Sequence, residues 1–453
     1  MKRRLAIVVL LFTVLTNATG GIGGSDGYCN NNRSLKPRPH SVTITEFGAV
    51  GDGVTSNTLA FQNAVFYLRS FADKGGAQLY VPKGNWLTGS FNLTSHLTLF
   101  LEKDAVIIGS QDSSQWTIVE PLPSYGQGED LPGGRHRSLI NGHNLTDVVI
   151  TGNNGIIDGQ GLIWWEWFNS QTLNYSRPHL LELVSSSDIF ISNLTFLNSP
   201  AWSIHPVYCS EIEIQNITVR ASFDSPFTNG IVPDSCSNLC IQDCSINTGH
   251  DAIALKSGWD NYGISFGAPS TNIHIRNVQL QTPLGSALAF GSEMSGGISF
   301  IYAEDLRITN SSTGVSFKTT IGRGGFIKDI VISDVEMWNV QEAFRFTGNC
   351  SRHPDDHYDP EATPVIKRVT LKNIIGTNIS TAGFFLGIDN DPFTDICLAN
   401  ITLSITSDPS VCWSCSNVSG YSESVIPTPC SDLTSNSSLF CFSLDEFSNL
   451  AEA

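Results

Sequence analysis

Positive charge is scarce in this chain: 25 lysines and arginines stand against 42 aspartates and glutamates in 453 residues, a formal net charge of -17. Nucleic acid and anionic membrane surfaces are drawn to basic proteins, so neither is expected as a partner. Beyond residue 20 no segment has the ~18 unbroken apolar residues of a membrane-spanning helix. The glycines Gly48, Gly51 and Gly53 lack the Lys-Ser/Thr pair that follows a phosphate-binding loop, which leaves tight turns as their role. Cys412-Trp-Ser-Cys415 lacks a βαβ setting, so structural pairing is expected there and not redox chemistry. Helical periodicity is scarce as well. One stretch carries it, where Ala60, Phe61, Ala64, Val65 and Leu68 fall on one apolar face, and that helix is expected to cap the open end of something larger.

The first residues, MKRRLAIVVLLFTVLTNATG, are a basic start, a short apolar run and small polar residues. This is the pattern of a secretory signal, expected to occupy residues 1–20 and to be removed. Asn-x-Ser/Thr sequons at Asn32, Asn92, Asn144, Asn174, Asn193, Asn216, Asn310, Asn349, Asn378, Asn400, Asn417 and Asn436 point the same way, as glycosylation sites of an exported chain. So do 11 cysteines, four of them between Cys412 and Cys441, which fit disulfides formed in an oxidising compartment.

From residue 147 the text is periodic. The segments DVVITG, DIFISN, EIEIQN, NLCIQD, NIHIRN, FIYAED, DIVISD, RVTLKN and DICLAN alternate apolar and polar residues and close on Gly, Asn or Asp at 152, 193, 216, 243, 277, 305, 334, 373 and 400. Alternation with period two means a half-buried strand, and the closing residue means that the chain then bends. Recurrence every 23 to 41 residues means a solenoid in which each coil covers its neighbour. The segments are too short and too rich in Ile and Val for helical repeats, and too irregular in spacing for propeller blades. The expected fold is all-β, a right-handed parallel β-helix forming one domain over residues 41–430, with a Ser-rich tail at 431–453.

Within the solenoid, residues 224–260 place Asn229, Asp234, His250, Asp251 and Lys256 at the edges of short apolar runs. Adjacent strand residues face opposite ways, so His250 and Asp251 share a groove only if the backbone turns at Gly249. Asp234 is read as structural.

The chain resembles glycoside hydrolase family 28, the polygalacturonases, and within it a plant-type group. The likeness lies in FGAVGDG at 47–53, NNGIIDGQGLIWW at 153–165, RPHLLEL at 177–183, NSPAWSIHPVYC at 198–209, GSEMSGGI at 291–298, GRGGFIKDI at 322–330 and DDHYDP at 355–360. The resemblance implies a secreted cell-wall enzyme, monomeric and without cofactor or metal. It would hydrolyse the galacturonan backbone of pectin with inversion, which needs a protonated acid on one side of the glycosidic oxygen and a carboxylate holding water on the other. The family supplies three aspartates, in Asn-Thr-Asp-Gly and Gly-Asp-Asp. Here those motifs read Phe227-Thr228-Asn229-Gly230 and Gly249-His250-Asp251, in register but with one carboxylate left. Asn229 can orient water without activating it, and His250 stands in the acid's place with an ordinary pKa near ~6.5.

The resemblance also places Lys318, in Ser316-Phe317-Lys318, where a sugar carboxylate binds, with serine in place of the family's arginine and Leu284-Gly285-Ser286 in place of its Gly-His-Gly. Lys256, Arg323 and His205 complete the expected substrate-binding set, and Trp164, Trp165 and Trp167 are either sugar platforms or core. Two readings follow. One is a polygalacturonase-like hydrolase with impaired activity. The other is an inert pectin-binding relative. A pectate lyase, the third possibility on this fold, needs clustered carboxylates for Ca²⁺, and none are clustered in the sequence near this site.

Overall fold

A computed structural model describes Cys29, residues 36–350, 352–406 and 412–434, and Cys441. The expected signal and most of the tail, with sequons Asn32 and Asn436, lie outside the described residues. The chain is a right-handed parallel β-helix, as its alternation predicts. Three faces of in-register parallel strands run along it. The first joins Leu97, Val148, Ile189, Ile212, Leu239, Ile273, Ile301, Ile330, Val369 and Ile396 coil by coil. All ten are buried, because the inward side of every strand can only stack on the same side of the next. A second face carries the polar outward residues that follow the turn. The third runs from Ile140 through Leu181, Ile204, Ile231, Ile253, Leu288, Val315 and Phe344 to Trp413, and the site lies on its outer side.

The closing residues of the periodic segments are the hinges of the coil. Asn193, Asn216, Asp243, Asn277, Asp305, Asp334, Asn373 and Asn400 all have positive φ, the left-handed conformation that Asn and Asp tolerate best after glycine. Their side chains tie one coil to the next. Asn216 Nδ2 donates to Asn193 Oδ1 at 2.6 Å, Asn277 to Asp243 at 2.6 Å and Asn400 to Asn373 at 3.0 Å. A second ladder runs from Asn378 to Asn339 to Asn310 at 2.7 and 2.8 Å. This geometry supplies its own reason for the sequons. Asn144, Asn193, Asn216, Asn310, Asn378, Asn400 and Asn417 are left-handed turn residues. A coil that needs Asn at the turn, an inward residue next and an outward Ser or Thr after it writes a sequon whether or not the site is glycosylated.

The helix Thr58–Leu68 buries all five predicted residues and covers the first coil, Phe61 stacking on Phe91 at 4.5 Å. Two short helices that the periodicity did not reveal, Leu162–Asn169 and Asp260–Phe266, lie in loops beside the third face. Cys29 is bonded to Cys240, Cys397 to Cys441 and Cys415 to Cys430. The pairing in the CWSC segment is thus structural, and it runs outward from Cys415.

Inside the third face, Phe290, Phe317, Phe346 and Phe385 stack with centroids 4.5, 4.3 and 4.6 Å apart. Phe317 is fully buried in the middle of this column. Phe317→Ala is expected to cost about 3–5 kcal/mol, read as a lowered urea midpoint.

Candidate active site

Asp251 comes just before the strand Ile253–Leu255, and Lys318 ends the strand Ile298–Lys318 two coils on. Together with the loops above them they line a cavity of about 520 Å³ on the outside of the third face. Asp251 is buried. One carboxylate oxygen accepts the Ser286 amide at 2.9 Å and the other takes the Lys318 ammonium. Burial opposes its ionisation, but Lys318, His250 and that amide outweigh burial and bring its pKa down to about 2. Asp251 is a committed carboxylate.

Asn229 Oδ1 accepts the Asp251 amide at 3.1 Å and faces His250 Nδ1 at 3.1 Å. The backbone donor fixes that atom as an oxygen, so His250 Nδ1 carries a hydrogen and, in the neutral ring, Nε2 carries the lone pair. Burial, with Lys318 and Lys256 adding to it and Asp251 opposing, pulls the His250 pKa below the ordinary histidine value. His250 is therefore an acid only when the solution is more acidic than its sequence position implied. The backbone does turn here, as the shared groove required. Gly249 serves by close approach, since a Cβ would come 2.4 Å from Ser225 O, and Gly285 likewise leaves room for the His250–Asp251 backbone.

The other expected substrate-binding residues divide. Lys256 lines the cavity, its ammonium on Glu293 and 5.4 Å above the Trp202 ring. Arg323 and His205 do not reach it. Arg323 is fully buried, bonded to Asp260 and to the carbonyls of Ser292 and Arg352. His205 lies below the surface with Nδ1 3.1 Å from Glu182 and Nε2 3.5 Å from Asp234. Both are corrections: each side chain is consumed by a buried ion pair that sequence alone does not display. Asp234 is structural as read, and also accepts the Tyr125 hydroxyl at 2.5 Å. Trp164 and Trp165 are core. The groove's tryptophans are Trp202 and Trp259, of which Trp202 sits inside a motif already singled out.

Carboxylates, absent as a cluster from the sequence, do gather in space. Glu129, Asp130, Asp251 and Glu293 all line the cavity, the first two from one loop and the other two from separate coils. Three of them carry a cation: Asp130 holds Arg177 at 2.8 Å, Asp251 holds Lys318 and Glu293 holds Lys256. His179, Glu182 and His205 bring their donor atoms within 4.8 Å of one another. Glu182 already binds Arg135 at 2.7 Å, and its contact with Asp234 and Glu182 makes His205 a cation, so this group is an ion-pair network and not a metal cradle.

A profile of glycosyl hydrolases family 28 matches residues 73–430. The chain belongs to that family. A "Probable polygalacturonase" of Vitis vinifera is 50% identical over 95% of this chain and 87% of the relative. A "Polygalacturonase" of Chamaecyparis obtusa is 28% identical over 88% of this chain and 76% of the relative. Among solved structures, an exopolygalacturonase from Thermotoga maritima superposes with a TM-score of 0.72 at 26% identity, covering 83% of this chain and 90% of that one. This family 28 chain shares the fold of that solved relative, and Asp251 is the carboxylate that its Phe227–Gly230 and Gly249–Asp251 segments contain.

The buried network under the groove gives a pH signature. Burial would lower the His205 pKa, but hydrogen bonds and attraction from Asp234 and Glu182 raise it to about 9. A raised folded pKa gives stability that is complete below the ordinary value of ~6.5 and is lost as pH climbs through about 9, on the order of 3 kcal/mol. Urea midpoints are expected to fall across that window. His205→Gln should start from a lower midpoint and lack the slope.

Proposed function

We propose that this chain is a secreted cell-wall glycosidase that hydrolyses galacturonan with inversion and at reduced rate. Family membership supports pectin hydrolysis. The observation that carries the rest is the buried, ionised Asp251 at the cavity floor, with His250 and Asn229 bonded around it.

Asp251 holds the attacking water, with Asn229 as a second anchor whose amide donates but removes no proton. Protonated His250 gives its proton to the leaving glycosidic oxygen. The site's weakness follows from its charges: Asp251 is a carboxylate throughout, so the only candidate acid among the three motif residues is a histidine whose depressed pKa keeps it neutral near pH 7. A general acid contributes about 10²- to 10⁴-fold, which sets the scale of the loss. Apart from catalysis, the ordered hydrogen bonds among Asn229, His250 and Asp251 support a site still built for positioning.

Two measurements test this. The rate of reducing-end release from galacturonan should rise as pH falls below ~6.5, because protonation of His250 activates the enzyme, and should decline only as Asp251 protonates near pH 2. A rate that climbs towards neutral pH rules out His250 as the acid. Separately, the Asn229→Asp, His250→Asp double variant is expected to be at least about tenfold faster at pH 5, since it restores an acid and a water-holding carboxylate. Equal rates would show that these positions do not limit catalysis, and a wild-type chain that binds galacturonan without cleaving it would make it the inert relative.

A further inference from the structure

The outer side of the third face is not covered evenly along its length. Its outward row runs from His205 through Val232, Ala254, Ala289 and Ser316 to Arg345, one residue per coil. In the middle the side chains are short, and the Trp202 ring packs on Val232, Ala254 and Ala289 at the bottom of the cavity. At the later coils the row returns to solvent, with the Arg345 side chain 42% exposed. At the earlier coils it does the opposite. Glu182 and His205 point outward, as Arg345 does, yet both are buried.

What buries them is a single arm of the chain. The short strands Ile118–Val119 and Arg135–His136 pair antiparallel as its base, and the residues between them lie across the face. At the edge where the third-face strands end, the Ser124 hydroxyl is 2.6 Å from that of Tyr208, the Trp259 amide donates to the Ser124 carbonyl at 2.8 Å, and Leu122 and Tyr125 pack on Val207 and Trp259. At the edge where those strands begin, the amides of Asp130 and Leu131 donate to Ser176 Oγ at 3.0 and 2.9 Å, and the Asp130 carboxylate holds Arg177. Between the two edges the arm closes down on the row itself: Arg135 binds Glu182 at 2.7 Å and the Tyr125 hydroxyl binds Asp234, the partner of His205. From the far side Arg352, which follows the strand Phe326–Thr347, reaches back and donates to the carbonyls of Glu129 and Asp130 at 2.8 and 3.3 Å. The arm is thus fastened at both edges, along its middle and from above.

The position of this barrier matters because of what stands next to it. Asn229 precedes the coil after that of His205 and Asp251 the one after that, so Asp251 lies about 10 Å from the arm at the spacing of parallel strands. Tyr125, Glu129 and Asp130 of the arm line the same cavity as Asp251. A polymer threaded along the outward row past Asp251 would have to continue through space that the arm fills.

We propose that the arm over residues 120–134 makes this groove blind at one end, so that galacturonan enters by a chain end and is cut only close to that end. This rests on the galacturonan reading above and narrows it. In the hydrolysis one water adds across a glycosidic bond near the seated end and a short terminal fragment leaves, while the interior of the polymer never reaches Asp251.

The test counts protein bound per polymer molecule, by titration calorimetry of the full chain at pH 7 with a short galacturonan oligomer and with a much longer galacturonan. A blind groove binds one end of each molecule, so the same count of one is expected at both lengths, whereas copies on an open groove would multiply along the longer chain. Excising residues 121–133 and joining Glu120 to Gly134 through two glycines keeps the paired base of the arm, and should raise the count on the long polymer at least threefold. If the excised chain does not fold, the count on the unaltered chain decides. On prolonged incubation at pH 5 the unaltered chain is expected to release short fragments while the viscosity of the long polymer hardly falls. A count that rises with length in the unaltered chain, or an early collapse of viscosity, overturns the blind groove and leaves the galacturonan reading standing. An excised chain that folds and still binds once per molecule overturns the arm as the barrier. Binding of neither galacturonan overturns both readings.

Discussion

Everything in this molecule depends on each coil leaving its strand by a left-handed turn at the same angular position as the coil before. Asn and Asp meet that demand because they tolerate positive φ, and their side chains then reach the same residue one coil back, as in the bond from Asn216 to Asn193. If a turn slipped by one residue, every following side chain would change face. The in-register columns of buried Ile, Val and Leu, and the Phe290–Phe385 stack, are the energetic return on keeping register. Register also builds the site: Asp251 meets the Ser286 amide of the next coil and Lys318 of the one after because the coils are aligned to within a residue.

That alignment separates the frame of the site from its chemistry. The frame is a property of the solenoid and survives substitution at single outward positions. The chemistry depends on the charge state of a few side chains, and here burial sets the terms. Asp251 is held ionised by Lys318 while His250 is held neutral by burial and the same lysine. One ammonium group thus favours the ionised form of Asp251 and the neutral form of His250. On the proposed inverting mechanism those two roles are filled at once, and the pH at which His250 gains its proton would then govern the reaction.

What the sequence makes legible is what the repeat writes locally. The hinge residues from Asn193 to Asn400, the apolar face of Thr58–Leu68 and the adjacency of Asn229, His250 and Asp251 all follow from spacing and motif. Burial by the neighbouring coils is not written locally. His205 and Arg323 look like surface donors in their motifs, yet each is enclosed by carboxylates, from Glu182 and Asp234 or from Asp260, that come from other coils and loops. Glu129 escaped notice for the same reason, and Glu293 did so although it lies inside the GSEMSGGI run, because the motif does not show which of its residues faces the groove. The sequon count shows the converse: a pattern with a familiar export meaning is here also the by-product of turn, inward residue, outward residue.

The four carboxylates of the cavity show how far proximity alone is from function. Clustered carboxylates are what a calcium-dependent elimination would use, and their number fits that chemistry better than the sequence did. Their partners decide otherwise. Asp130, Asp251 and Glu293 each hold an arginine or lysine within ion-pair distance, so a divalent cation would have to displace three paired cations to gain its ligands. Among the described residues Glu129 alone of the four has no arginine or lysine partner, and a single carboxylate is a poor calcium site. The same pairing commits Lys256 and Lys318, while Arg352 at the rim meets only the neutral carbonyls of Glu129 and Asp130.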